Sequence, residues 1–237
     1  MKFVTLFLGL LLLNLFAFVT IKLRPKLFNV KIFKPMLWNF KLSILPLVII
    51  TANLFICFLL LSIGNYLEIS LFIPAHIIFF VGLLLWMLFL PNSGYLITEL
   101  NLTHRSEDEK EVPIWYDIVS VLSFALSGII NVLANIVIIQ FSFLVFFDPP
   151  TLTMSDYDRL SFIGFVIIFL VVLGIYMGRA IRFNSWDILH ISSFLKKLKH
   201  HFSQRGAVKE SILYISFNTI FFLIMYVTLG IPFCFIK

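Results

Sequence analysis

An all-α polytopic membrane helix bundle of about six transmembrane helices is the fold class this sequence predicts, on three observations. Of 237 residues, 61% are hydrophobic and only 13% charged, whereas a soluble domain carries about a quarter of its residues as charges. Six continuous apolar stretches reach the ~20 residues a helix needs to cross ~30 Å of hydrocarbon. The lysines and arginines collect in alternate loops. With lipid as solvent, backbone groups are satisfied within their own segment, and continuous rather than alternating apolar runs favour helices over strands. A single integral membrane domain over residues 1–237 is expected, with the lipid bilayer as its main partner.

The spans run roughly over residues 3–23, 42–63, 70–90, 118–141, 160–181 and 212–236. The first begins like a signal peptide, with Lys2 before an apolar run. It has no small-x-small cleavage site and is followed by strong positive charge, so it is read as an uncleaved helix. Pro91-Asn92-Ser93-Gly94 is expected to stop the third span. Tyr95 to Leu100 then dips back toward the bilayer. The fourth stretch stays apolar to Phe147, about 45 Å if helical, and is either one tilted helix or a span plus an interfacial piece. Lys196 to His201 reads as an amphipathic surface helix, with Leu195 and Leu198 toward lipid.

Fifteen of the eighteen lysines and arginines fall in three loops, after the first, third and fifth spans. The positive-inside rule then puts both termini outside and these larger basic loops in the cytoplasm. That distribution accounts for the net charge of +6 without a nucleic-acid partner. Cys57 and Cys234 belong to no CxxC or His/Cys cluster and read as small apolar residues.

Under this topology three polar motifs share the inner face: Pro91 to Tyr95, Trp115-Tyr116-Asp117, and Gly178-Arg179 with Asn184-Ser185-Trp186-Asp187. Glu99, Asp117 and Asp187 are the candidate catalytic carboxylates, as acid/base groups or hard-oxygen cation ligands. No DxxD or HxxxH spacing is present, so no metal is assigned and the cofactor stays unknown. Arg179 and Arg182, three apart, share a face if the helix continues and can clamp an anionic headgroup bidentately. Asn92, Tyr95, Trp115, Tyr116, Asn184 and Trp186 complete the candidate substrate contacts. The plainer reading is that acids and arginines lock loops onto the bundle, while Trp and Tyr form an interfacial belt.

A second signal lies inside the fourth span. Ser120, Ser123, Ser127, Asn131 and Asn135 recur at three- and four-residue steps and form one stripe. Interhelical hydrogen bonding explains it; a polar path for a small solute is the alternative. His76 is the only ionisable residue expected near mid-membrane. Three functions fit: a non-catalytic membrane component with an unknown protein partner, an enzyme acting on an anionic lipid-linked substrate at the inner leaflet, and a small-solute permease.

The string Leu90-Pro91-Asn92-Ser93-Gly94-Tyr95 with Thr98-Glu99, the Trp115-Tyr116-Asp117 element, and Arg179 before Asn184-Ser185-Trp186-Asp187 together resemble an uncharacterised family of bacterial multi-pass membrane proteins, domain of unknown function 1361. The resemblance covers the chain from the second span onward. It implies a bacterial plasma-membrane location, a shared architecture and a shared inner-face cluster, but no activity, cofactor or substrate. Glu99 stands where the family pattern more often has Asp, which keeps carboxylate chemistry open but not a strict metal geometry.

The topology is directly testable. With Cys57 and Cys234 replaced by Ser, Ser106→Cys and Ser192→Cys are each expected to react with a membrane-impermeant maleimide only after cell lysis. Labelling of either in intact cells would reverse the assignment.

Overall fold

The computed structural model describes residues 2–32, 34–101, 112–147, 153–182 and 191–231. The side chains of residues 2, 3, 99–101, 145–147 and 191 lie outside that description. The described residues form α1 (Lys2–Phe28), α2 (Lys34–Tyr66), α3 (Phe72–Phe89) and the short α4 (Pro91–Gly94), which runs into a 3-10 helix (Tyr95–Asn101). They continue with α5 (Ile114–Phe147), α6 (Met154–Tyr176), a π-helical turn (Met177–Ile181), α7 (Ile191–Phe202) and α8 (Ala207–Thr228). Six segments are long and apolar enough to cross a membrane, and none of the described residues is a strand. The protein is thus all-α and polytopic.

The helices outrun the apolar stretches that announce them. α1 continues through Arg24 and Pro25 to Phe28, and α2 already begins at Lys34. Backbone hydrogen bonding does not stop where hydrophobicity does, and lysine or arginine on a last turn can extend toward water. α1 ends on Asn29, whose φ of 55° is the left-handed conformation that closes helices.

Pro91 does not stop the third span. It occupies the first position of α4, where a missing N–H costs nothing. The Leu90 N–H donates to the Trp86 carbonyl at 2.8 Å and the Ser93 N–H to the Leu90 carbonyl at 3.0 Å. The chain therefore stays helical from α3 through α4 into the 3-10 segment, and residues 72–98 form one candidate span. The fourth stretch is one helix of 34 residues, about 51 Å long. It starts at Ile114, so Trp115, Tyr116 and Asp117 lie in its first turn.

The chain folds as two compact units, Met1–Asp148 and Pro149–Lys237. In the first, α5 is the central element. From Asn131 to Ile136 no residue has exposed surface, while α2 and α3 turn Phe55, Phe58, Ile73, Phe80 and Leu84 outward. α1 packs on α5, and α2 pairs with α3 through a turn in which the Ile69 N–H bonds the Gly64 carbonyl at 2.9 Å. Within that pair the Asn53 amide donates to the Phe79 carbonyl at 3.1 Å. Ala17, Ile21, Met36, Phe40, Leu96 and Phe124 belong to the apolar cluster joining α1, α2, the 3-10 segment and α5.

In the second unit α6 packs on α8. The Asp156 carboxylate caps the start of α6 by accepting from the Thr153 N–H at 2.9 Å and its hydroxyl at 2.6 Å. At the far end of α6 the Tyr176 hydroxyl lies 2.7 Å from His201 Nε2 of α7, and the Tyr176 ring lies 5.4 Å from the Tyr214 ring of α8.

Two glycines test the packing of the first unit. A Cβ on Gly128 of α5 would sit 2.8 Å from the Leu96 Cβ and 3.0 Å from the Ser93 carbonyl, neither of which moves without backbone displacement. Gly128→Ala is expected to cost about 1–3 kcal/mol in denaturant unfolding of the detergent-solubilised protein. A Cβ on Gly82 would overlap the side-chain amide of buried Asn53, whose bond to the Phe79 carbonyl would be lost if it moved, so Gly82→Ala is expected to destabilise as well.

Candidate functional site

The first unit gathers its polar side chains along α5, on the face turned to α1, α2, α3 and α4. At the N-terminal end of α5, Asp117 is fully buried and pairs with Arg24 of α1, itself nearly buried. Arg24 Nε donates to Asp117 Oδ1 at 2.8 Å, and its Nη2 reaches Oδ2 at 3.4 Å. Such a side-on fork is the strong form of the arginine–carboxylate pair. An aspartate in the first turn is also favoured by the helix dipole. One step along the pair of helices, the Tyr116 hydroxyl donates to the Thr20 carbonyl at 2.7 Å and the Ser120 hydroxyl to Thr20 Oγ1 at 3.1 Å. A crevice of about 10 Å³ beside Arg24, edged by Lys31, Met36 and Ser120, has room for about one water molecule.

Deeper along α5, Asn131 lies about 21 Å from Asp117 at 1.5 Å per residue. Asn14 Nδ2 donates to Asn131 Oδ1 at 2.8 Å, and Asn131 Nδ2 returns a bond to Asn14 Oδ1 at 3.2 Å. Asn131 Nδ2 also donates to the Ser43 hydroxyl oxygen of α2 at 2.9 Å. Ser43 and Ser93 each donate their hydroxyl to the other's carbonyl, both at 2.9 Å. The Trp86 indole N–H of α3 donates to Asn135 Oδ1 at 2.7 Å. Asn135 Nδ2 donates to the Asn131 carbonyl at 2.8 Å and lies 3.4 Å from the Ser93 hydroxyl. Ser123 and Ser127 bond back to carbonyls three residues earlier in α5.

The sequence-predicted residues divide accordingly. Ser120, Ser123, Ser127, Asn131 and Asn135 are all buried. Ser120 joins Tyr116 and Asp117 at the N-terminal cluster, Asn131 and Asn135 form a separate deeper one, and Ser123 and Ser127 bond within α5. Asn92 and Tyr95 are half-buried in α4 and at the start of the 3-10 segment, which packs on α5. Trp115 is exposed at 65%, as a belt residue would be. Glu99 lies on the 3-10 segment with its side chain outside the description. Arg179 and Arg182 are exposed in the second unit. They do not share an α-helical face, because the π turn intervenes and Arg182 adopts φ 58°. Asn184, Trp186 and Asp187 lie outside the described residues. Among the described residues no three His, Cys, Asp or Glu side chains are close enough to hold a metal ion.

A second cavity, about 410 Å³, opens between α2, α3 and α5, near the end of α5 away from Asp117. Its walls include Cys57, Phe58, Phe72, His76, Phe141 and Ser142. His76 Nδ1 lies 2.8 Å from the Phe72 carbonyl.

Asn14, Thr20 and Arg24 were not expected at the site. Arg24 follows the first apolar run and counts there as an orientation charge. Asn14, Thr20 and Arg24 nevertheless step along α1 at intervals that keep them on one face, the signal that could have matched them to the α5 stripe.

The chain belongs to the family described as protein of unknown function (DUF1361), whose model matches residues 38–227. No curated protein and no solved structure matches it. Asp117 therefore lies inside the matched region, and its partner Arg24 precedes it.

Removing one member of a buried ion pair strands the other charge, so Arg24→Met or Asp117→Leu alone is expected to cost about 3–5 kcal/mol. The double variant Arg24→Met/Asp117→Leu should cost clearly less than the sum. Unfolding of the four proteins in detergent as a double-mutant cycle measures the coupling, and strictly additive losses would mean the pair contributes nothing as a pair.

Proposed function

We propose that this member of the DUF1361 family is a non-catalytic integral component of the bacterial plasma membrane, with both termini outside and the larger basic loops cytoplasmic. The buried polar side chains along α5 serve to hold the first four spans in register. The single observation that carries this reading is the use to which the polar side chains are put. Asp117 is buried against Arg24, and both amides of Asn131 and Asn135 are engaged with neighbouring groups. Groups that bind a solute in transit must exchange partners with it, and a catalytic carboxylate must be reachable by substrate. Neither condition suits residues with no exposed surface. The exposed apolar faces of α2 and α3 suit contact with lipid or with another membrane protein. The lipid-substrate enzyme keeps one supporting observation, the exposure of Arg179 and Arg182.

Extraction of the protein from its own membranes in mild detergent, followed by native mass spectrometry, tests the proposal. A companion protein in fixed stoichiometry is expected, retained in the Glu99→Gln and Asp187→Asn variants. Complementation of a deletion strain by both variants should equal that by the wild type. A chain that runs alone, with complementation lost in Asp187→Asn protein that still inserts, would overturn the reading in favour of an enzyme.

A further inference from the structure

The second unit carries a feature that the network around α5 does not explain. α7 is amphipathic along its length. Phe194, Leu195, Leu198 and Phe202 lie on one arc, and Lys196 and His200 lie on the opposite side, with Lys197 and Lys199 at its two edges. Phe194, Leu198 and His201 are half-buried against the protein. The apolar arc extends past that contact: Leu195 is 54% exposed and Phe202 40%. Lys196, Lys197, Lys199 and His200 are all exposed.

α7 is held at the place where two spans end. The Tyr176–His201 contact of 2.7 Å joins it to the last turn of α6, and Tyr176 also meets Tyr214 in the first turns of α8. Both α6 and α8 belong to candidate membrane spans, so α7 lies at the level where the chain leaves the hydrocarbon. Around it stand further exposed cations: Arg179 and Arg182 on the π turn and its following residue, Arg205 before α8 and Lys209 in its first turn. Glu210 is the one acid among the described residues of this end of the unit. Asp156 and Asp158 lie at the opposite end of α6, about 30 Å away.

We propose that α7 lies in the membrane–water interface and that its basic face, with Arg179, Arg182, Arg205 and Lys209, binds the headgroups of anionic phospholipids. An apolar arc only partly covered by protein, flanked by lysines, is the pattern of a helix seated at the headgroup boundary. Cations held there are attracted to an anionic leaflet within a Debye length. An acidic protein partner would satisfy the lysines but would leave Leu195 and Phe202 in water, which favours the lipid. The inference stands whether or not the chain has a companion protein.

The full-length protein, with Cys57→Ser and Cys234→Ser, is reconstituted in nanodiscs. The discs are made of phosphatidylcholine alone or with phosphatidylglycerol added. An environment-sensitive fluorophore is placed on Leu195→Cys or, separately, on Lys196→Cys. The probe at 195 is expected to report an apolar surrounding and the probe at 196 an aqueous one. After transfer from mixed discs to detergent, native mass spectrometry should find phosphatidylglycerol retained several-fold over phosphatidylcholine. That preference should vanish in Lys196→Gln/Lys197→Gln/Lys199→Gln and return in the corresponding Lys→Arg triple variant. High salt should abolish it as well. Equal retention of the two lipids by the wild type, an aqueous reading at 195, or unchanged preference in the glutamine variant would each overturn the proposal. The probe readings are taken only on monodisperse protein with an unchanged unfolding midpoint, so that misfolding is not mistaken for loss of binding.

Discussion

A side-chain amide or carboxylate in hydrocarbon has no water to return to, so the polar groups that α5 carries are stabilised where a neighbour meets them, and among its described buried groups all but Gln140 Oε1 are met. The placement of the other helices in the first unit answers that demand. Asn131 accepts from an amide of α1 and donates to a hydroxyl of α2; Asn135 accepts from an indole of α3; Asp117 accepts from a guanidinium of α1. Apolar packing alone would leave the rotation of each helix loosely specified, because lipid tails compete equally well for leucine and phenylalanine. Hydrogen bonds with fixed donors and acceptors remove that freedom. The Ser43–Ser93 exchange does this with each hydroxyl bonded to the other residue's backbone carbonyl.

The same demand explains the path from α3 to the 3-10 segment. A true break at Pro91 would have left several carbonyls of α3 without partners near the hydrocarbon. Keeping Leu90 and Ser93 in helical hydrogen bonds avoids this and carries Ser93 into the network and Leu96 against Phe124. Gly128 allows the approach, since its missing side chain is the space into which Leu96 and the Ser93 carbonyl fit.

Much of this was legible in the residues. Span number and order follow from composition, because length and hydropathy leave few alternatives to helices. The polar stripe of α5 was legible as a stripe, since the steps between Ser120 and Asn135 are helical ones. Its partners were less so. Arg24 sits beside Pro25 in a run of basic residues, and charge counting treats all of them alike, though only a helix continuing past the apolar run puts Arg24 opposite Asp117. Trp86 reads as one more apolar residue until its indole N–H is placed. A proline at the first position of a new helical turn and one that ends a helix have the same neighbours in sequence, so Pro91 was misread. The polar ends of the spans were cut short for a related reason: hydropathy marks where lipid begins, and hydrogen bonding marks where the helix ends.

The long reach of the α1–α5 bonds has a bearing on how the protein is made. Asn14 is separated from Asn131 by 117 residues, and Arg24 from Asp117 by 93. At a synthesis rate of about 5–20 residues per second, α1 waits on the order of ten seconds before its partner helix exists. Through that interval it stands in the membrane with an amide at depth and a guanidinium near its end. The guanidinium can reach back to the interface, but the amide cannot. What retains α1 in place is its own apolar length, the 25 residues from Val4 to Phe28. The first helix thus has to be hydrophobic enough to persist alone and polar enough to be recognised later, and its sequence satisfies both by keeping its apolar run long while placing Asn14, Thr20 and Arg24 where they are buried against α5.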